Sequence, residues 1–210
     1  KQGSIKEHVN NSKGCGGVMR VAPAGLFYSK SEAFQMAAEF AALTHGHPSG
    51  YLSAGALSYL IASIIEGHDI ETSVKNTLIE LKNHKKHEEC TLILIKAMEL
   101  AKSGSSDIKA ITQLGEGWVG EEALAISIYC ALKYQDNFKK AIITAVNHSG
   151  DSDSTGAITG NILGAYLGLS NIPSDWIEKV ELSESILQLA DDLLIKYQDT
   201  EKWWKRYPGY

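Results

Sequence analysis

Apolar residues recur at helical spacing along nearly the whole chain, and sustained strict alternation is missing. Helices are therefore the expected elements. Ser29-Lys30-Ser31-Glu32 reads as a capping box, followed by a stripe of Ala33, Met36, Ala37, Phe40, Ala41 and Leu43. Thr44-His45-Gly46-His47 ends that helix, and Pro48 opens the next at a favoured first-turn position. Leu52, Ala56, Leu57, Leu60, Ile64 and Ile65 give the second helix its apolar positions, and Gly67 closes it. Further helices are predicted over 72–83, 88–102, 121–134 and 138–147, the last capped by Asn137. Residues 142–146 could pass as a strand, but their flanks are helical. A glycine-striped helix follows, then a short helix capped by Ser174 and a last one over 183–197. Trp203, Trp204 and Tyr207 are expected to pack back onto the chain. The reading is an all-α fold, one compact multi-helix domain over 1–210.

Glycine-rich corners punctuate these helices. Gly14-Cys15-Gly16-Gly17 lets backbone approach a ligand, or simply bends tightly. No Gly-Lys-Ser/Thr follows it, so it is not a P-loop. His45 and His47 flank a second corner at Gly46; a capping or loop role is commoner for such a pair than metal binding. The corner Gly115-Glu116-Gly117-Trp118 carries an indole that either stacks on a planar ligand or, by default, anchors the core.

The densest chemistry lies in Asp151-Ser152-Asp153-Ser154-Thr155. Two carboxylates and three hydroxyls in five positions are hard oxygen donors of the kind Mg²⁺ or Ca²⁺ takes, although a solvated turn explains them as well. An EF-hand is excluded, because its twelfth position would be Ile162 where a bidentate Glu is required. Asp151, Asp153 and Thr155 also resemble the nucleophile loop of haloacid-dehalogenase-type phosphatases, with Asp191-Asp192 as the acidic pair, but that fold needs strands alternating with helices. Glycines at 156, 160, 164 and 168 share one helix face. Each costs up to about 1 kcal/mol in a helix interior, so close approach by another backbone is the expected reason.

Composition narrows the class. A net charge of −5 argues against a nucleic-acid surface. Three scattered cysteines with no Cys-x-x-Cys suit a reducing, cytoplasmic setting. No signal peptide or membrane span is visible; the uncharged run over 154–171 is too polar and too short.

Four segments occur together in a familiar order: Lys13 to Pro23, Leu43-Thr44-His45, Leu114 to Trp118, and His148 to Thr155. With them the chain resembles the ADP-ribosylglycohydrolase family, of the dinitrogenase-reductase-activating type, over about residues 12–195. The resemblance implies a hydrolase with a binuclear Mg²⁺ (or Mn²⁺) centre that cleaves the C1″ glycosidic bond joining ADP-ribose to a protein side chain. Its partners would be an ADP-ribosylated protein or ADP-ribose, not nucleic acid or membrane. It implies Asp151, Asp153 and Ser154 as metal ligands, and Gly14, Cys15, Gly16 and Gly17 as the holders of ribose and phosphate. His45 would face the diphosphate or ribose, and Glu116, Gly117 and Trp118 the adenine. The family's other metal ligands lie in a Thr-Asp-Asp motif absent from this sequence. The chain therefore reads as the C-terminal part of a longer protein, with weak metal binding on its own, and these residues do not identify a general acid or base. A non-catalytic ADP-ribose-binding module is the alternative.

Overall fold

The structure, a computed structural model, describes residues 3–209. Among them are helices and no strand, with one isolated bridge, Gly14 to Val119. The phosphatase reading fails on this point, because its fold requires a parallel sheet. The helices group into two units, one ending at Ile172 and one beginning at Pro173.

The first unit is built around α3 (Pro48–Ile65), which is apolar nearly all round and buried along almost its whole length. It is long and apolar enough to cross a membrane, yet 89% of it is covered by the rest of the fold, as befits a core helix. Around it pack α1 (Ala22–Phe27), α2 (Lys30–Ala42), α4 (Ile70–Leu81) and α7 (Gly120–Lys133). Helix α1 was missed in the sequence, its six residues being too few to show a period. The α2–α3 seam is tight: a Cβ on Gly55 would stand 2.7 Å from the Phe34 ring. Helix α7 is the second core element, sheltered by α5 (Glu88–Lys102), α6 (Asp107–Leu114), α8 (Phe138–Val146) and α9 (Ser152–Leu167). Residues 142–146 are helical, as their flanks required.

Several caps differ from expectation. Ser29 precedes α2, but its hydroxyl donates to the Glu32 carboxylate, not into a backbone capping box. Helix α4 starts two residues early, because Asp69 accepts from the Thr72 amide. Asn137 and His47 cap α8 and α3 through their side chains, which assigns His47 a structural job. The glycine stripe also needs correction. Gly156 is required, since a Cβ there would meet Val146 Cγ1 at 2.6 Å. Gly160 has ordinary contact distance to Ile142, and Gly164 faces nothing within 4 Å among the described residues. The stripe thus receives side chains of α8 over its first half, not a neighbouring backbone.

The second unit holds α10 (Ser174–Lys179), α11 (Ser183–Ile195) and α12 (Glu201–Arg206). Asp192 is its buried polar anchor, accepting from Arg206 and from the Tyr207 hydroxyl. Tyr197 packs its ring edge-on against Trp203 and Trp204.

One ion cluster positions the loop before α1. Lys13 Nζ sits 2.8 Å from Glu121 Oε1 and 2.6 Å from Glu89 Oε1, at the first turns of α7 and α5. Ser49, in the first turn of α3, donates to the other Glu89 oxygen. Carboxylates are favoured at helix N-termini, and Lys13 ties these ends together. Glu121 is 3% exposed, and its second oxygen has no partner among the described residues. Burial pushes its pKa up against the pull of Lys13. Replacing Lys13 by Met leaves that carboxylate unpaired. The expected cost is roughly 3 kcal/mol, the low end for breaking a buried pair, since water reaches Lys13. Adding Glu121→Leu should recover most of it in urea unfolding; an unchanged midpoint for Lys13→Met alone would show the cluster to be incidental.

Candidate functional site

Asp151 sits at the N-cap of α9, and the turn before it is knitted by His148. The Gly150 amide donates to His148 Nδ1 at 3.1 Å, and His148 Nε2 lies 3.0 Å from Thr155 Oγ1. Thr155 in turn donates to the Ala145 carbonyl at 2.7 Å. This pattern requires a neutral imidazole with its proton on Nε2, and burial lowers the His148 pKa accordingly. His148 is therefore structural, a role the sequence did not reveal.

The glycine corner at 115–117 lies directly against this turn. The Asp151 amide donates to the Glu116 carbonyl at 2.8 Å. A Cβ on Gly150 would stand 1.8 Å from that carbonyl oxygen, so only glycine fits. The corner is braced from behind by Glu122, whose Oε2 accepts from the amides of Glu116 and Gly117 at 3.1 Å each. Glu122 is the third residue of α7, reaching back as an N3 glutamate does in a capping box. That spacing was its only sequence signal. Gly117 takes φ +80, a left-handed value glycine adopts without penalty.

The first glycine corner closes the arrangement. The Cys15 amide donates to the Trp118 carbonyl at 3.1 Å, and the Gly120 amide to the Lys13 carbonyl at 2.8 Å. Cys15 Sγ then donates to Asp151 Oδ2 at 2.6 Å. Ser154 Oγ lies 3.4 Å from Cys15 Sγ and 3.2 Å from Met19 Sδ. On the opposite flank, Gly14, Gly16 and Gly17 lie along the His45 ring, with ideal Cβ positions 3.3–3.6 Å from it. Gly17 is buried, and among the described residues the amides of Gly16 and Gly17 donate to no backbone or side-chain acceptor. Both amides belong to the central residues of the turn that the Val18 amide closes on the Cys15 carbonyl, which leaves them free for an acceptor.

The structure thus brings Gly14 to Gly17, His45, Glu116 to Trp118, Asp151 and Ser154 into one continuous arrangement. Asp153 stands at its exposed edge, with its carboxyl against that of Asp151. Burial works to raise the Asp151 pKa, but its neighbours Asp153, Cys15 and Ser154 outweigh it and hold the pKa below the usual value. Trp118 is not the core anchor taken as default. It is 57% exposed, and its indole N–H is held by the Glu116 carboxylate at 3.1 Å. Glu116 also lines a cavity of about 600 Å³ with Ile108, Ile111, Thr112, Val146 and His148. His45 and His47 part company, one facing the glycine corner and the other capping α3.

The donors suit a hard divalent cation. Two carboxyl groups lie side by side at a helix N-terminus, and the Ser154 hydroxyl stands beside Asp151 with the sulfur atoms of Cys15 and Met19 as further neighbours. They would supply only part of a coordination shell: among the described residues no group of three His, Cys, Asp or Glu side chains is placed to hold a metal.

The family model for ADP-ribosylglycohydrolase matches residues 1–202. ADP-ribosylarginine hydrolase Tri1 of Serratia proteamaculans is 30% identical over 178 residues, covering 84% of this chain and 45% of that protein. Human ADP-ribosylhydrolase ARH3 is 28% identical over 212 residues, covering 87% of this chain and 58% of that protein. The ADP-ribosyl-[dinitrogen reductase] glycohydrolase of Rhodospirillum rubrum is 45% identical over 61 residues, 28% of this chain and 21% of that protein. A solved structure titled ADP-ribosylglycohydrolase-related protein complex superposes with a TM-score of 0.69 at 24% identity, covering 87% of this chain and 60% of that one. The chain spans about half the length of the curated relatives it matches. With a family match over nearly its whole length, the chain belongs to the ADP-ribosylglycohydrolase family.

Proposed function

We propose that this chain carries the ADP-ribose-holding half of a metal-dependent hydrolase that releases ADP-ribose from modified protein side chains. The observation that carries the reading is the contact between Cys15 and Asp151, 136 residues apart, which seats the glycine corner on the acidic turn. The Gly16 and Gly17 amides, which no backbone acceptor takes among the described residues, are donors of the kind that bind phosphate oxygens. His45 adds a ring nitrogen beside them. Trp118 offers an exposed aromatic face for adenine.

Asp151, Asp153 and Ser154 would hold Mg²⁺ or Mn²⁺, which supplies electrostatic orientation of the distal ribose and an activated water. The remaining work belongs to the chain itself. Its corners fix the diphosphate, so that C1″ lies over the acidic turn; its buried turn limits water around Asp151. Cleavage at C1″ passes through an oxocarbenium-like state, which nearby carboxylates stabilise. The relatives' names point to a linkage at an arginine side chain or another modified residue as the substrate class.

A second reading is favoured by the incomplete ligand set: a module that binds ADP-ribose without cleaving it. Calorimetry with ADP-ribose, with and without Mg²⁺, together with a release assay on an ADP-ribosylated protein, separates the two; binding without release selects the module. In the full protein, Asp151→Asn should lower release and metal affinity together by about 100-fold or more, beyond what loss of a group merely supporting a metal ligand costs. Unchanged turnover would remove Asp151 from the chemistry. Trp118→Ala should weaken ADP-ribose roughly tenfold, the lower range for loss of one stacked base, while leaving ribose 5-phosphate binding unaltered. Equal losses for both ligands would place the indole elsewhere.

A further inference from the structure

The ring of His45 is held from behind in a way that decides what it offers in front. His45 Nδ1 lies 2.8 Å from Thr44 Oγ1. Thr44 Oγ1 already accepts from the Arg20 guanidinium at 2.5 Å, and the same nitrogen lies 3.4 Å from the Phe40 carbonyl. Arginine cannot accept a hydrogen bond, so the direction of that contact is fixed. The Thr44 hydroxyl then has one proton to place. Its choices are His45 Nδ1 at 2.8 Å and the Ala41 carbonyl at 3.4 Å. An O–H donor prefers partners nearer 2.7–2.8 Å, so the proton goes to Nδ1, which must be bare. Were Nδ1 to carry the proton, Thr44 would receive two donors and keep only the long contact for its own hydrogen.

The opposite nitrogen, Nε2, is the ring atom nearest Gly16 and Gly14, 3.3 Å and 3.6 Å from their ideal Cβ positions, while Gly17 lies against Cγ at 3.3 Å. We propose that Arg20 and Thr44 are positioning residues that hold His45 as the neutral Nε2–H tautomer, so that it presents a donor to the anionic ligand of the Gly14–Gly17 corner. A bare Nε2 would set its lone pair against phosphate oxygens. An Nε2–H instead extends the donor set begun by the Gly16 and Gly17 amides. Burial, followed by the Arg20 charge, lowers the His45 pKa, in keeping with a neutral ring. The ligand side of this inference rests on the ADP-ribose reading; the tautomer does not.

The test uses the ¹⁵N-labelled full chain and two-bond ¹⁵N–¹H spectra of the histidine rings, with His45→Gln to assign the signals. The ligand-free wild type should show His45 with Nε2 protonated and Nδ1 bare. Thr44→Val should produce a mixture of tautomers, and Thr44→Ser should restore the wild-type pattern. Pyrophosphate and ADP-ribose should bind Thr44→Val about tenfold more weakly, the equivalent of one hydrogen bond, and Thr44→Ser normally. An Nδ1-protonated His45 in the wild type, or an unchanged tautomer in Thr44→Val, overturns the proposal. A wild type with the expected tautomer that binds neither ligand overturns the ADP-ribose reading and leaves the positioning intact.

Discussion

Everything at the site depends on one place where two backbones touch. The Asp151 amide meets the Glu116 carbonyl, and Gly150 leaves no room for a side chain between them. That contact fixes the acidic turn to the corner that opens α7. The same corner takes the Cys15 amide on its Trp118 carbonyl, so both glycine corners and the acidic turn share one hydrogen-bonded frame. Glu122 braces the frame from inside α7, and the Lys13 ion cluster ties it to the first turns of α3, α5 and α7. Helix N-termini carry partial positive charge and unpaired amides. Clustering them around one loop makes a region suited to anions and to the carboxylates that answer them.

This arrangement would let an acidic chain hold an anionic ligand, as the proposed function requires. The net charge of −5 describes the whole surface, not the corner. At the corner the donors are backbone amides and a neutral imidazole, which need no formal charge. The carboxylates of Asp151 and Asp153 lie on the other side of Cys15, where a cation would balance them. In the proposed function the two requirements of the chemistry, an anion cradle and an oxygen-rich cation seat, would thus be kept apart by one side chain.

Much of this was legible in the sequence, for identifiable reasons. Helices with a long apolar stripe and a glycine or proline at an end, such as 48–65, announce both their period and their limits. Segments of six residues, such as 22–27, are shorter than two helical turns and show no period. The site residues stood out because Gly-rich and Asp-rich corners are compositionally unusual. Glu122, His148 and Lys13 did not, because each works through a partner far away in sequence or through a backbone amide, and neither leaves a local pattern. Trp118 was misjudged for a related cause: aromatic character predicts burial, and nothing local says that the Glu116 carboxylate holds the ring outward. The stripe of Gly156, Gly160 and Gly164 was over-read, since equal spacing suggests equal duty while the neighbouring helix α8 covers only its start.

In the proposed function a divalent cation binds where the acidic turn meets the two glycine corners. Paramagnetic broadening by Mn²⁺ in amide spectra of the full chain reads this directly, and works even for weak binding. Trace Mn²⁺ should first broaden the amides of Cys15, Gly117, Asp151 and Ser154, leave those of α4 sharp, and be reversed by excess Mg²⁺. Uniform broadening, or broadening centred on another acidic stretch such as the one around Asp191, would contradict the account.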